Sequence, residues 1–212
     1  MICRAERTRW LVEGRHVADR FSCDPVRTAV LSMDCQTSIV SIYGKNQEGF
    51  VARAASVLEH ARRVGMCVIH IQVGFRPGLP EVSSRNSLFA AVKNSSEHQK
   101  LFQGAAGAIQ PDLGPLGDDI VIAKHRISAF RGTDLDMILR AKDIETVILF
   151  GIATSGVVLS TLLEAADLDY WPVVIQDCCA DLDLELHACL IERLFPKRGR
   201  VIFAAEFLAS GD

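Results

Sequence analysis

The run Val147-Ile148-Leu149-Phe150-Gly151 passes almost without a linker into Thr154-Ser155-Gly156-Val157-Val158, and that join restricts the folds open to this chain. Its first half is apolar, β-branched and closed by glycine, the pattern of a strand buried on both faces of a parallel sheet. Its second half opens a helix: Thr154 or Ser155 can cap it, and apolar residues recur at helical spacing through Leu162 and Ala166. A strand that feeds a helix directly leaves backbone N–H groups at the carboxyl edge of the sheet, where the helix dipole also favours negative charge. In open α/β sheets ligands bind along that edge.

Further strand-length apolar runs lie at 28–33, 67–73, 119–124, 172–177 and 201–204. Between them, helical stripes occupy 47–65, with Gly65 placed as a C-terminal cap, then the segment from Leu135 through Ala141, the helix after Gly151 that ends near Asp169, and 181–195. Strands alternating with helices predict an α/β fold, a parallel sheet covered on both faces. Residues 1–26 read as an N-terminal extension, with a short strand at 9–12, and 27–212 as one domain. The segment 74–118 is rich in Gly, Pro, Ser and Asn; an irregular insertion of that length inside a compact domain usually serves as a lid or a subunit contact.

The chain's 212 residues suffice for one domain with a sizeable core, and a net charge of −3 gives no basic surface for nucleic acid. No apolar run approaches the ~18 residues needed to cross a membrane, and the charged first 25 residues do not form a secretory signal. The seven cysteines are odd in number and include no C-x-x-C pair, so neither a disulfide scaffold nor a zinc knuckle is expected, and free thiols suit a cytoplasmic protein. Cys67 and Cys178 read as small buried residues.

Three strands end in residues able to do chemistry: Asp34, Lys124 and the turn at Gly151. Parallel strands bring those ends to one edge, where a carboxylate and an ammonium can pair and orient a substrate oxygen. His70, inside an apolar strand, reads as a core or rim histidine. His125 follows Lys124 and points the other way, because side chains alternate along a strand.

Asp34-Cys35-Gln36 resembles the Asp-x-Gln signature of the isochorismatase-like hydrolases, the cysteine hydrolase superfamily. Lys124-His125-Arg126-Ile127-Ser128-Ala129-Phe130 with Gly132-Thr133-Asp134-Leu135 is similar to that family's lysine segment, and Gly151-Ile152-Ala153-Thr154-Ser155-Gly156-Val157-Val158 to its nucleophile loop. Ala165-Ala166-Asp167, Tyr170 and Val174-Ile175-Gln176-Asp177 extend the likeness over about 27–205. Three motifs in order on the right elements are far more specific than one.

The resemblance implies a Rossmann-like three-layer α/β/α sandwich with a six-stranded parallel sheet. It implies Asp34 and Lys124 as two members of an Asp-Lys-Cys triad, the backbone amides of Ala153 and Val157 as an anion-binding pair, and a cis bond at Ile152–Ala153. The third triad position falls on Val157, which has no nucleophilic atom. The acyl-enzyme route of the amidase members is therefore closed. Isochorismatases proper are similar in lacking the cysteine: their aspartate acts as a general acid in vinyl-ether hydrolysis, and they usually carry glycine where this chain has the bulkier Val157. The zinc-binding Asp-x-His pattern of some amidases is missing from His70-Ile71-Gln72-Val73-Gly74, so no metal and no cofactor are expected. The resemblance leaves two functions: a hydrolase of a small molecule with Asp34 as general acid or base, or a pseudoenzyme kept for small-molecule binding or assembly. It also implies a homodimer or higher homo-oligomer, in which Phe75, Leu79, Leu88, Phe89 and Phe102 of the 74–107 loop would meet a partner subunit near the site.

Overall fold

The sheet is assembled from strands too apolar to face water. In the computed structural model, which describes residues 21–44 and 48–210, the strands are β1 (Thr28–Met33), β2 (Cys67–Val73), β3 (Ile120–Lys124), β4 (Thr146–Ile152), β5 (Trp171–Ala180) and β6 (Arg200–Ile202). All pair in parallel, in the order β3-β2-β1-β4-β5-β6. Every residue of β1 is buried, as a strand with a neighbour on each side and helices on both faces requires. The direction of winding reverses between β1 and β4, and the crevice at such a switch point is the expected ligand position. The strand expected at 9–12, and most of the 1–26 extension, lie outside the described residues.

The helices are α1 (Thr37–Tyr43), α2 (Phe50–Arg63), α3 (Ser87–Lys93), α4 (Ser96–Lys100), α5 (Gly104–Gly107), α6 (Leu135–Ala141), α7 (Leu159–Asp167), α8 (Leu184–Cys189) and α9 (Ala204–Leu208). The α2 helix buries Phe50, Ala54, Val57, Leu58 and Ala61, the stripe that the sequence pattern predicts, and Gly65 follows it with φ 81°. Among the described residues no helix is long and apolar enough to cross a membrane.

Several local expectations fail for identifiable reasons. The strand at 172–177 continues to Ala180, because Cys178, Cys179 and Ala180 are fully buried and the pairing with β4 slips between Leu149 and Gly151. The strand at 201–204 stops at Ile202. Ala204 instead begins α9, whose entry is fixed by the Glu206 carboxylate accepting from the Phe203 N–H at 2.8 Å. The helix placed at 181–195 starts at Leu184, since the Asp183 carboxylate caps it by accepting from the Leu186 N–H at 2.9 Å, and it widens into a π-helical turn over Leu190–Leu194.

The 74–107 loop requires a larger correction. It folds into short helices around its own apolar cluster: Leu79 and Phe89 are buried with Val73, Val82 and Val92, and Phe75 and Phe102 pack against them. Of the five residues expected at a subunit contact only Leu88 is exposed, at 54%. Their apolar character therefore gives no ground for a partner subunit.

Candidate functional site

Asp34 ends β1, and its backbone turns into the left-handed region at φ 54°. Few residues other than glycine adopt that conformation, and Asp is among those that tolerate it. The turn is anchored by the Asp34 N–H, which donates to the Ile71 carbonyl at 2.8 Å. Lys124 ends β3, two strands away across β2. Strands lie ~4.8 Å apart, so the gap is about 10 Å, a distance that one long cationic and one short acidic side chain can bridge together. They do: Lys124 Nζ lies 2.8 Å from Asp34 Oδ2, with the side chains 2% and 8% exposed. Lys124 Nζ also donates to the Arg126 carbonyl at 3.1 Å. Asp34 Oδ1 is buried and has no partner. Burial pushes the Asp34 carboxyl above its ordinary value, outweighing the opposing pull of the Lys124 ammonium.

On the other side of the switch point, Gly151 has φ 143°, and a Cβ there would sit 2.0 Å from the Met33 carbonyl oxygen. Only glycine lets β4 close on β1 directly beneath Asp34. The Ile152–Ala153 bond is cis, as the resemblance implies. A π-helical turn, Thr154–Val158, then carries Val157, which is 2% exposed, into α7. Neither Thr154 nor Ser155 caps the helix. The Thr154 hydroxyl pairs with His187 Nδ1 at 2.8 Å, while the Ser155 N–H and hydroxyl both donate to Asp181 Oδ2, at 2.8 and 2.7 Å. The Gly156 and Val158 N–H groups both donate to the Ala153 carbonyl, at 3.1 and 3.3 Å. Sequence reasoning missed Asp181 and His187 as supports of this loop. Asp181 lies one residue beyond the end of β5, past the apolar run at 172–177 from which the strand is predicted.

Gln36, fully buried, completes the frame. Its Oε1 accepts from the Val73 N–H at 2.8 Å, and its Nε2 donates to the carbonyls of Val73 and Gly107, at 3.0 and 2.6 Å. The Asp-x-Gln motif therefore combines the buried, Lys-paired carboxylate of Asp34 with an amide that ties β2 and the insertion to the end of β1.

His70 is a core histidine: it is 1% exposed, Nε2 lies 3.1 Å from Asp119 Oδ2, and Arg62 grips the same carboxylate at 2.6 Å. Burial holds its pKa below the ordinary value. His125 lies on the opposite side of β3 from Lys124, with Nδ1 donating to the Gly74 carbonyl. Among the described residues no group of three or more His, Cys, Asp or Glu side chains is placed to hold a metal ion.

The buried thiols of Cys35, Cys178 and Cys179 are not activated. Cys35 and Cys179 are buried and pushed up to about 12, and burial raises Cys178 as well. A thiol at that pKa is not a nucleophile at neutral pH. Two open depressions flank the sheet edge. One, of about 440 Å³, is lined by Gln72, Phe102, Ile109, Pro115 and Val121; the other, of about 540 Å³, by Phe75, Arg76, His125, Thr133 and Asp134 among others. Neither is lined by Asp34, Lys124 or Val157, so the buried Asp34–Lys124 pair is not marked by either depression.

Comparison with known proteins agrees with this arrangement. Residues 28–206 match the isochorismatase domain. The isochorismatase family protein YwoC of Bacillus subtilis is 30% identical over 189 residues, covering 86% of this chain and 93% of its own. The ureidoacrylate amidohydrolase RutB of Cronobacter turicensis is 33% identical over 172 residues, covering 72% and 74%. Among solved structures, an isochorismatase family protein from Burkholderia thailandensis superposes with a TM-score of 0.74 at 28% identity, covering 89% of this chain and 96% of its own. A cysteine hydrolase from Pseudomonas syringae gives a TM-score of 0.77 at 24% identity, covering 90% and 94%, a likeness of fold. By the domain match over most of its length and by the likeness of its parallel sheet to solved family members, the chain belongs to the isochorismatase family, within the isochorismatase-like hydrolase superfamily.

Proposed function

We propose that this protein hydrolyses a small molecule without a covalent intermediate, Asp34 moving the proton and water serving as the nucleophile. The observation that carries the reading is the buried pair with its spare oxygen: Oδ2 is held by Lys124, and Oδ1 is free to give or take a proton. Keeping two charged groups dry is expensive, and a purely structural site is served as well by apolar side chains of similar volume. In this reading Lys124 fixes the rotamer of Asp34 and stabilises the carboxylate left after proton donation. The amides of Ala153 and Val157 are assigned to charge that develops on substrate oxygen. Val157 contributes only its backbone, since its isopropyl group can form no acyl-enzyme. Burial favours the protonated form of Asp34, which supports the general-acid role: Oδ1 delivers its proton to the substrate, and water adds to the carbon left electron-poor.

The sign of the pH profile tests this. A general acid works in its protonated form, so kcat/KM is expected to fall as pH rises through the pKa of Asp34, above the ordinary 3.8. A rate that instead falls as pH drops assigns Asp34 as general base. Assays on isochorismate and a panel of amides, with Asp34→Asn as control, are expected to lose roughly 10²–10⁴-fold in the variant, the usual value of positioned proton transfer.

The second reading, a pseudoenzyme that binds without hydrolysis, draws on the burial of Val157 at 2% exposure. Turnover of isochorismate or the amide panel, measured beside Asp34→Ala, separates the two, and the variant Val157→Cys tests whether the pocket is open to small molecules. If the pocket admits small molecules, the introduced thiol is expected to react with iodoacetamide faster than Cys35 or Cys178, and Asp34→Ala in the same background removes the advantage. Per-residue labelling rates by mass spectrometry measure it; labelling at 157 no faster than at the buried thiols means that the pocket is closed or not arranged for thiol chemistry, and leaves general-acid hydrolysis or plain binding.

A further inference from the structure

Lys124 Nζ has a second partner besides Asp34. It donates to the Arg126 carbonyl at 3.1 Å, two residues further along its own chain. An ammonium carries three donors on a flexible four-carbon stem, so it goes where its acceptors stand. The Asp34 carboxylate stands at the end of β1, a strand paired on both sides. The Arg126 carbonyl lies past the end of β3, in the stretch 125–134, which is bends and turns without helix or strand. That carbonyl keeps its place only if the stretch is held.

Arg126 holds it with its own side chain. One terminal nitrogen of the guanidinium donates to the His125 carbonyl at 2.6 Å, and the other to the Glu81 carbonyl at 3.0 Å. Among the described residues no carboxylate lies within ion-pair distance of it, so this half-buried fork is spent on two backbone acceptors. The first contact folds the side chain back onto its own peptide. The second fastens that peptide to a residue 45 positions earlier, in the insertion after β2. Glu81 is itself fixed, since its Oε1 accepts from the Arg76 N–H at 2.8 Å and lies 3.4 Å from His125 Nδ1. His125 Nδ1 donates to the Gly74 carbonyl, and the Gly74 N–H donates to the Lys124 carbonyl at 3.2 Å. The chain leaving β3 is thus tied to the chain leaving β2 at two successive residues, by the ring of His125 and the guanidinium of Arg126.

We infer that Arg126 is a positioning residue for the Asp34–Lys124 pair: it clamps the turn after β3 onto Glu81 and so fixes the carbonyl that, together with Asp34, sets where the Lys124 ammonium stands. The role deepens the proposed hydrolase and rests on that reading only in taking Asp34 as its acid. The side chain of Arg126 makes no bond to Asp34, so it acts through Lys124. The titratable and charged groups around the clamp are Lys124, His125, Glu81 and Arg76. Beside Asp34 stand Lys124 and the Cys35 thiol, which is pushed up to about 12 and stays neutral. With the carbonyl fixed, Nζ is kept 2.8 Å from Asp34 Oδ2. With the turn released, the ammonium is free to swing, and the carboxyl loses part of the one attraction that opposes its burial.

The test is a carboxyl-carbon NMR titration of the full chain, with the Asp34 signal identified by its loss in Asp34→Asn. Arg126→Met is expected to move the Asp34 midpoint up by about one pH unit, the size of a weakened charge pair. Arg126→Lys keeps the charge, but a single ammonium does not span two separate carbonyls, so a similar rise is expected. Thermal melts check that both variants fold. If Arg126→Met does not, Arg126→Lys decides alone, a raised midpoint supporting the inference and a parental one overturning it. A midpoint unchanged in both variants overturns it, and so does a rise in Arg126→Met with Arg126→Lys like the parent, which assigns the effect to charge and not to the clamp. In turnover, the fall of kcat/KM with rising pH is expected to move to higher pH in both variants, because the protonated acid persists further. Asp34 titrates whether or not a substrate is hydrolysed, so the two readings fail separately. A raised midpoint without turnover in the parent keeps the role of Arg126 and removes the hydrolase. Turnover with an unchanged midpoint keeps the hydrolase and removes the role of Arg126.

Discussion

Gly151→Ala is expected to destabilise the fold more than any other single methyl addition in the sheet, by more than about 3 kcal/mol, and to be recovered largely insoluble. The added Cβ would lie 2.0 Å from the Met33 carbonyl oxygen and 2.8 Å from its carbon, backbone atoms of a strand paired on both sides. Neither strand can retreat without breaking its other ladder, and φ 143° is itself unfavourable for an L side chain. Urea unfolding of any soluble fraction measures the effect. Gly65→Ala, also at positive φ but with open space around the added carbon, provides the contrast. It is expected to cost only the conformational penalty of about 1 kcal/mol. If the two variants prove equally stable, the close approach of β4 to β1 is not what requires glycine.

Lys124→Met is expected to cost about 3–5 kcal/mol at neutral pH, because it leaves Asp34 buried and unpaired. The loss should depend on pH with a definite sign. Lys124 is the influence that lowers the Asp34 pKa against burial, so its removal raises that pKa further. A carboxyl whose folded-state pKa exceeds its unfolded value binds more protons folded than unfolded. Its stability contribution is therefore present below the unfolded value and is lost as pH rises through the folded one. The variant should lose stability more steeply than the parent as pH rises from about 4 to 8. Adding Asp34→Asn should restore part of the loss and flatten the pH dependence, since asparagine tolerates the left-handed backbone and carries no charge. A double-mutant cycle in urea at two pH values measures both; additive losses would mean that the two side chains do not interact.

The layered fold and the ends of its strands were legible from the amino-acid order because both depend on local pattern. Thr28–Met33 is apolar throughout, Phe50–Arg63 carries a helical stripe, and each strand's last residue follows from where its apolar run stops. Spacing and motif resemblance together singled out Asp34, Lys124 and Val157, and the vacancy at the nucleophile position was readable there as a chemical fact. The support around those residues was not readable, because it depends on partners distant in sequence. Gln36 bonds to Val73 and Gly107, Ser155 to Asp181 and Thr154 to His187, and no local period encodes such pairs. The hydroxyls that look like helix caps in the chain are taken by partners beyond β5, Ser155 donating to Asp181 and Thr154 pairing with His187. The large apolar residues Phe75, Leu79, Leu88, Phe89 and Phe102 of 74–107 look exposed in sequence because nothing nearby covers them, yet the folded insertion covers four of the five itself. Which chemically capable residues stand at the ends of the strands was thus determined by the sequence alone, since side-chain type and strand position suffice for it. Which atoms of those residues remain free was decided only by the tertiary structure, because a hydrogen bond requires two groups that the fold alone brings together.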